Sequence, residues 1–345
     1  MSESLPAQAS SDGSPALPPG RRLRYLLEAA GFFLVIGFFA LFSIDRASSI
    51  GGWIGRRLVA PTFLSRRPLR NLRASYPEKT DAELAAIVNG MWNNLGRVMA
   101  EYAHLDEIHS LGADPRIVLT GLEHLEAAKA RGKGLLLASG HFANWEIMPF
   151  AARDYGFVGG TIVRPANNPY VNRWLDAMRT RNGMQEQIAK GPHGTRRAFS
   201  ILRRGGAICL LVDQRASEGI KVPFFGRDAF TTPAPAALAL KLGAVIVPAW
   251  NERVGNARFR MRVYPAIEPP NTGDRDRDLV EFTAALTRFI EDRVRERPAE
   301  WLWIHKRWVK ENVPLRKRAQ AQSEAEALQP GAAAARNAHE ELTGS

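Results

Sequence analysis

The side chains in this chain best suited to chemistry stand at the ends of short apolar runs, and the most telling is His141. In Gly134-Leu-Leu-Leu-Ala-Ser-Gly-His141-Phe-Ala-Asn-Trp-Glu146, an apolar run ends in Ser139-Gly140 and then presents an imidazole, with a carboxylate five positions later. Residues 134–138 read as a buried strand. Phe142 onward, with no proline before Pro149, reads as the opening of a helix. His141 then sits at a strand-to-helix turn, where backbone N–H groups point outward and water reaches the ring. An imidazole in that place can act as a general base if a carboxylate fixes its tautomer and stabilises the imidazolium, and the spacing offers that task to Glu146. The plainer alternative is a surface histidine beside a glutamate that faces a helix dipole.

Two further apolar runs end in polar groups. Residues 160–163 lead to Arg164-Pro-Ala-Asn-Asn168, and residues 207–212 lead to Asp213-Gln214. Arg164 can fork onto a phosphate or carboxylate of a substrate, or form a structural ion pair for which Asp213 is a candidate partner. Asn167 and Asn168 precede Pro169 as turn residues commonly do. Asp213 can instead organise the loop over residues 219–226. Arg164, Asn168, Asp213 and Gln214 are the substrate-binding candidates, with His141 and Glu146 the catalytic ones. His104, His109, His124, His193 and His305 show no spacing with Asp, Glu or Cys that resembles a metal site, so no metal is expected. The single cysteine, Cys209, lies in the apolar run 207–212 and reads as a buried thiol; alone, it forms no internal disulfide.

The elements that must hold these groups follow from periodicity. Helices are predicted over residues 81–101, with Thr80 or Asp81 as N-cap, and over residues 123–130, 172–181, 195–202, 234–242 and 279–294, the last stopped at Pro298. Strands are predicted over residues 134–138, 160–163, 207–212, 244–247 and 258–263. The alternation implies an α/β fold with a mainly parallel or mixed sheet flanked by helices and functional groups at the strands' C-terminal ends.

Residues 1–20 lack large apolar patterning and are expected to be a disordered tail, as are residues 314–345. Residues 29–44 carry no charge. With residues 25–27 they reach about 30 Å as a helix, enough to cross hydrocarbon, with Glu28 snorkelling. A membrane-anchor helix over residues 21–48, transmembrane or interfacial, is the expectation; an export signal headed by Arg21-Arg22 and a buried core helix are the alternatives. Arginines after the segment outnumber those before it, which puts the domain over residues 49–313 in the cytoplasm. Across 345 residues, 47 Lys+Arg against 35 Asp+Glu give a net charge of +12, so an anionic partner is expected: nucleic acid, anionic lipid or an acidic protein.

Taken in order, the motifs carry a resemblance. His141-x4-Glu146 after a buried strand, Arg164-Pro-x-Asn-Asn-Pro169, Val212-Asp-Gln214, Val222-Pro-Phe-Phe-Gly226, Val247-Pro248 and Pro298-x2-Trp-Leu-Trp303-x-His-Lys-Arg307 resemble the series found in the lipid A biosynthesis acyltransferases. Arg70-Asn-Leu-Arg-Ala-Ser-Tyr-Pro77 looks like the same family's N-terminal region, and the similarity runs to about Val313. The chain is more distantly similar to the glycerolipid acyltransferases, but Gly140 and Glu146 stand where those carry Asn and Asp. The resemblance implies an inner-membrane O-acyltransferase with its catalytic domain on the cytoplasmic side. It implies transfer of a fatty acyl group from acyl carrier protein or acyl-CoA to a hydroxyl of a phosphorylated glycolipid, with no cofactor. His141 is then the base oriented by Glu146, Arg164 holds the headgroup, and helix-start N–H groups near His141 receive the oxyanion. The pairs Arg66-Arg67, Arg196-Arg197 and Arg203-Arg204 are docking candidates for the acidic carrier. A different lipid acceptor, such as a glycerolipid or a mannosylated phosphoinositide, is the nearer alternative. A basic membrane-surface or nucleic-acid-binding protein without activity is the alternative of another class, although the basic residues are scattered among a patterned core and no nucleic-acid partner is expected.

Overall fold

A computed structural model of the chain describes residues 19–308. Apart from Pro19 and Gly20, which begin a helix, the tails expected over residues 1–20 and 314–345 lie outside the described residues. The chain opens with α1 (Pro19–Ala40), α2 (Ile44–Ile54), α3 (Arg66–Ser75) and α4 (Asp81–Glu101), and reaches its first strand at β1 (Ile117–Thr120). Helix and strand then alternate through α5 (Leu122–Ala130), β2 (Leu135–Ser139), α6 (Ile147–Asp154), β3 (Gly159–Val163), α7 (Pro169–Asn182), β4 (Glu186–Ala189), α8 (Pro192–Arg203) and β5 (Ala207–Leu211). A hairpin of β6 (Ile220–Phe224) and β7 (Arg227–Thr231) precedes α9 (Ala234–Leu242), β8 (Val245–Arg253), β9 (Phe259–Val263) and α10 (Arg275–Glu296).

The main sheet has seven strands in the order β1-β9-β8-β2-β5-β3-β4, parallel throughout except where β9 runs antiparallel to β8. Side chains alternate across it and build one core on each face. Leu136, Ala138, Ile208, Leu210 and Ile246 pack with α4, α8, α9 and α10. Leu135, Leu137, Cys209, Val245 and Val247 pack with α5, α6 and Met178 of α7. Burial on both faces explains why the central strands read as unbroken apolar runs rather than alternating ones. Cys209 is fully buried, as expected, and burial pushes its thiol up to about 12.

The α/β expectation is met, and α4 begins and ends as its periodicity predicts, with Thr80 and Glu83 forming a capping box. Four differences have physical causes. The expected strand over residues 244–247 continues to Arg253, because β8 pairs with β2 up to Pro248 and then exchanges that neighbour for β9. The loop expected over residues 219–226 is mostly the β6–β7 hairpin, turned at Phe225 (φ 54°) and Gly226 (φ 64°), the paired positive φ of a tight hairpin turn. The helix expected from Phe142 begins only at Ile147. The apolar N-terminal helix ends at Ala40, and the boundary expected at residue 48 falls inside α2, whose Ile44, Ala47, Ser48, Gly51 and Gly52 are buried.

Candidate active site

The C-terminal ends of β2, β5, β3 and β4 gather at one edge of the sheet because these strands are parallel neighbours. Ser139 pairs with Leu211 on the last rung between β2 and β5, so the chain leaves both strands side by side and places His141 and Asp213 together. His141 Nδ1–H donates to Asp213 Oδ1 at 2.7 Å, and the His141 backbone N–H donates to Asp213 Oδ2 at 2.7 Å. The Trp301 indole N–H donates to that same Oδ2 at 2.7 Å. Burial alone would push the Asp213 carboxyl up, but His141 against it, with His305 nearby, holds it well below the usual carboxylate range.

The other ring nitrogen faces Gln214, whose Nε2 lies 3.2 Å from His141 Nε2. Lys190 Nζ, which can only donate, lies 3.4 Å from Gln214 Oε1 and so fixes which end of the amide meets the ring. His141 therefore carries its proton on Nδ1, and its Nε2 accepts from the Gln214 amide at the wall of a cavity of about 300 Å³. Tyr102, Arg164, Arg179, Lys190 and His305 line the same cavity. The His305 ring meets His141 edge-on with centroids 4.8 Å apart. Burial, reinforced by the charge of His141, pushes His305 from its ordinary 6.5 down to about 4, so it is neutral at physiological pH.

Glu146, expected to orient the imidazole, does not hold it. Its carboxylate accepts from Arg179 Nε at 2.8 Å, Arg179 Nη2 at 2.6 Å and the Tyr102 hydroxyl at 2.6 Å. Burial works against its ionised form, but the Arg179 charge outweighs that and lowers its pKa. The reason for the exchange of roles is backbone geometry. Residues 140–146 form a non-helical turn with Ala143 in the left-handed region (φ 43°), and Glu146 is thereby carried to the N-cap of α6, facing α7.

That turn is pinned from several directions. The Ala143 N–H donates to Glu300 O at 3.0 Å, Asn94 Nδ2 donates to Ala143 O at 3.0 Å, and Asn144 Nδ2 donates to the buried Glu101 carboxylate at 3.0 Å. Phe142 bridges to Trp301 as an antiparallel pair. The N–H groups of His141, Phe142 and Ala143 are thus bonded to Asp213, Gly140 O and Glu300 O, so none of these three is a free donor beside His141.

Of the other expected site residues, Arg164 reaches the cavity and makes a 3.4 Å contact with Asn167 Oδ1; among the described residues it forms no salt bridge, with Asp213 or otherwise. Asn168 is buried and fully used. Its Oδ1 caps α7 at the N–H of Tyr170 and Val171, and its Nδ2 donates to Tyr25 O at 2.7 Å and Glu28 Oε2 at 3.2 Å on α1. Its polar atoms thus tie α7 to α1. Asp213, taken first as a substrate ligand or loop organiser, is the partner of His141. Sequence reasoning gave no role to Lys190, Arg179, Trp301 or His305; the last two stand in the Pro298 to Arg307 motif, which was legible as a motif without an assignment.

The chain matches the family described as bacterial lipid A biosynthesis acyltransferase over residues 19–310. It is 26% identical to the lipid A biosynthesis acyltransferase of Haemophilus influenzae, over 79% of this chain and 84% of that one. It is 27% identical to the lipid A biosynthesis lauroyltransferase of Escherichia coli, over 75% of this chain and 85% of that one. It is also 27% identical to the phosphatidylinositol mannoside acyltransferase of Mycobacterium tuberculosis, where the match spans 56% of this chain and only 60% of the relative.

Proposed function

Since this chain belongs to the bacterial lipid A biosynthesis acyltransferase family, we propose that it transfers a fatty acyl group from a carrier thioester to a hydroxyl of a lipid A precursor, with His141 as general base and Asp213 as its orienting partner. The observation that carries this reading is the His141–Asp213 contact, which leaves Nε2, met by the Gln214 amide, as the basic nitrogen at the wall of a cation-lined cavity. A hydroxyl is a poor nucleophile at neutral pH, and a positioned base supplies about 10²- to 10⁴-fold. The acceptor hydroxyl takes the place of the Gln214 amide at Nε2, which accepts its proton as the oxygen attacks the thioester carbonyl. The C–S bond then breaks, the ester remains on the acceptor, and the imidazolium returns its proton to the departing thiolate. Asp213, ionised and fully buried, stabilises the imidazolium between those two transfers.

Arg164, Arg179 and Lys190 around the cavity suit the phosphates of such an acceptor. A second cavity of about 230 Å³ shares Ile162, Lys190, Leu210, Leu211 and Gln214 with the first and is otherwise walled mostly by apolar and small residues, among them Leu136, Ala198 of α8 and Leu238 of α9, which suits an acyl chain. The donor in this reading is acyl carrier protein. Arg66, Arg196, Arg203 and Arg204 are exposed and available to an acidic carrier, whereas Arg197 is held by Glu186. The reaction takes place at the cytoplasmic face of the inner membrane, a reading supported by the apolar helix α1 and the net positive charge.

The test is to incubate the membrane-bound protein with acylated carrier protein and a tetra-acylated lipid A precursor and to weigh the product. A gain of one acyl chain is expected, and no gain sinks the reading. The match to the mycobacterial enzyme favours a second acceptor, a mannosylated phosphoinositide, and the same assay with that lipid decides between them.

A further inference from the structure

We infer that α1 does not cross a bilayer: it lies within one leaflet and, together with residues 55–64, forms a single apolar face, rimmed by arginines, that docks on an anionic membrane. The inference rests on the membrane half of the preceding reading and on none of its chemistry.

The argument begins with where α1 is held. Near its start, Asn168 at the head of α7 donates to Tyr25 O and to Glu28. In its middle, Phe32 and Phe33 pack edge-on against Trp174 of α7, with centroids 5.4 and 6.1 Å away. At its end, the buried His104 ring hydrogen-bonds Phe39 O at 3.1 Å. From Tyr25 to Phe39 a helix rises about 21 Å. A helix that spanned the hydrocarbon could be held by a water-soluble domain at one end only. Here both ends are held, so a crossing α1 would carry α7 and residues 102–107 to the same depth. Those elements expose Arg173 and the ion pair of Arg181 with Asp106, whose side chains are 69% and 57% exposed, charges that lipid-facing surface in the hydrocarbon does not carry.

Past the exposed Arg21, Arg22, Arg24 and Glu28, the outward side of α1 is nonetheless apolar. Leu27 and Leu34 on it and Leu41 just past its end, spaced seven apart, are 65%, 74% and 80% exposed. Such a stripe on a helix lying flat is the geometry of an interfacial segment. It does not end at α1. A groove of about 530 Å³ has Leu34, Val35 and Phe38 on one wall and Val59, Leu95 and Met99 on the other, and beyond it Leu58 and Phe63 are 57% and 71% exposed. The groove is shallow because α2 lies almost in contact with α4: a Cβ on Gly51 would meet Gly96 O at 2.3 Å, and one on Gly55 would meet Trp92 O at 2.0 Å. Arg56, Arg57, Arg66, Arg67 and Arg70 are exposed around this face, as anionic headgroups require. The same α7 and residues 102–107 that grip α1 supply Arg179 and Tyr102 to the catalytic cavity, so a lipid acceptor reaches it without leaving its leaflet.

The test is topological. Single cysteines at Gly20→Cys and Ser43→Cys, in a Cys209→Ala background, flank α1 and are probed with an impermeant maleimide in spheroplasts and in inverted vesicles. Both are expected to react from the cytoplasmic side only, and an N-terminal alkaline phosphatase fusion is expected to be inactive. Labelling of the two positions from opposite sides, or an active phosphatase, overturns the inference while leaving the acyl-transfer reading intact. The shared face is tested with Leu58→Glu/Phe63→Glu, which alters exposed side chains and leaves α1 as it is. Its partition onto vesicles of phosphatidylethanolamine and phosphatidylglycerol at three to one is expected to fall at least ~10-fold with an unchanged melting temperature. Unchanged partition reduces the face to α1 alone and overturns that part. Recovery of the native protein in the soluble fraction overturns both this inference and the membrane reading.

Discussion

His141 and Asp213 each stand two residues beyond the rung on which Ser139 faces Leu211, and their side chains meet at 2.7 Å. Asp213 accepts three hydrogen bonds there, two of them on Oδ2 from the His141 backbone N–H and the Trp301 indole. This division fixes the outcome of Asp213→Asn. The one remaining oxygen is claimed by the two donors at the Oδ2 position, so the new NH₂ faces Nδ1. The proton must then move to Nε2, and the lone pair that the proposed reaction uses to take the acceptor's proton is lost. Acyl transfer is expected to fall by ~10²- to 10⁴-fold with little change in melting temperature. A variant turning over within a few-fold of the parent removes Asp213 from the mechanism.

Glu146 and Arg179 form a pair whose side chains are only 6% and 15% exposed, so Glu146→Gln leaves a guanidinium without its counter-charge. Breaking a buried pair in this way costs about 3–5 kcal/mol, and the expected effect is a large fall in melting temperature. Arg179→Met in the same chain should recover much of the loss, since the unpaired charge is then gone. The pH profile of the activity that survives should match the parent's. A shifted profile with unchanged stability would instead return Glu146 to the role of orienting the imidazole.

The sequence carried the strands ending at His141, Arg164 and Asp213, because each is a short apolar run, buried almost throughout in β2 and β5 and half-buried toward the end of β3. The long helix α4 was equally plain, since eight apolar positions keep its period and Thr80 with Glu83 mark its start. What it did not carry was the order of the strands. Spacing along the chain put Glu146 nearest to His141, whereas pairing of β2 with β5 brings Asp213 from 72 residues away. The short β4 passed unnoticed because Ile188 is its only buried residue. His305 reaches His141 only after Phe142 bridges to Trp301, a contact that no local pattern announces.

His305 sets a window of pH sensitivity. Its pKa is lowered to about 4 in the folded protein, so on acidification the unfolded chain takes the proton first, near its ordinary 6.5. The neutral ring's contribution to stability is therefore complete above about 6.5 and is lost as pH falls toward 4, with a slope of up to ~1.4 kcal/mol per pH unit. Asp213 and Glu146 are shifted in the depressed sense, so what they contribute is lost only below the ordinary carboxylate range. His305→Phe keeps a ring against His141 and removes the titration. Melting temperatures at pH 7 and pH 5 should fall further for the parent than for this variant, and equal falls would count against the assignment.

Gly140 is where the backbone makes room for the Asp213 carboxylate. A Cβ there would stand 2.7 Å from Phe142 Cε2 and 3.1 Å from Asp213 Oδ2. The Phe142 ring cannot swing away, being fully buried, bridged to Trp301 and packed edge-on against Trp250. The backbone at Gly140 must yield instead, carrying the His141 N–H against the carboxylate, and a shift of a few tenths of an ångström strains the 2.7 Å bonds on Oδ2. Gly140→Ala is therefore expected to cost about 1–3 kcal/mol of stability by overpacking and to lower kcat at least ~10-fold by displacing the base. Adding Phe142→Leu relieves the nearer of the two contacts and should restore part of the stability, read as melting temperature. Retention of full kcat by Gly140→Ala would mean that the carboxylate tolerates displacement and that its three hydrogen bonds do not position the imidazole.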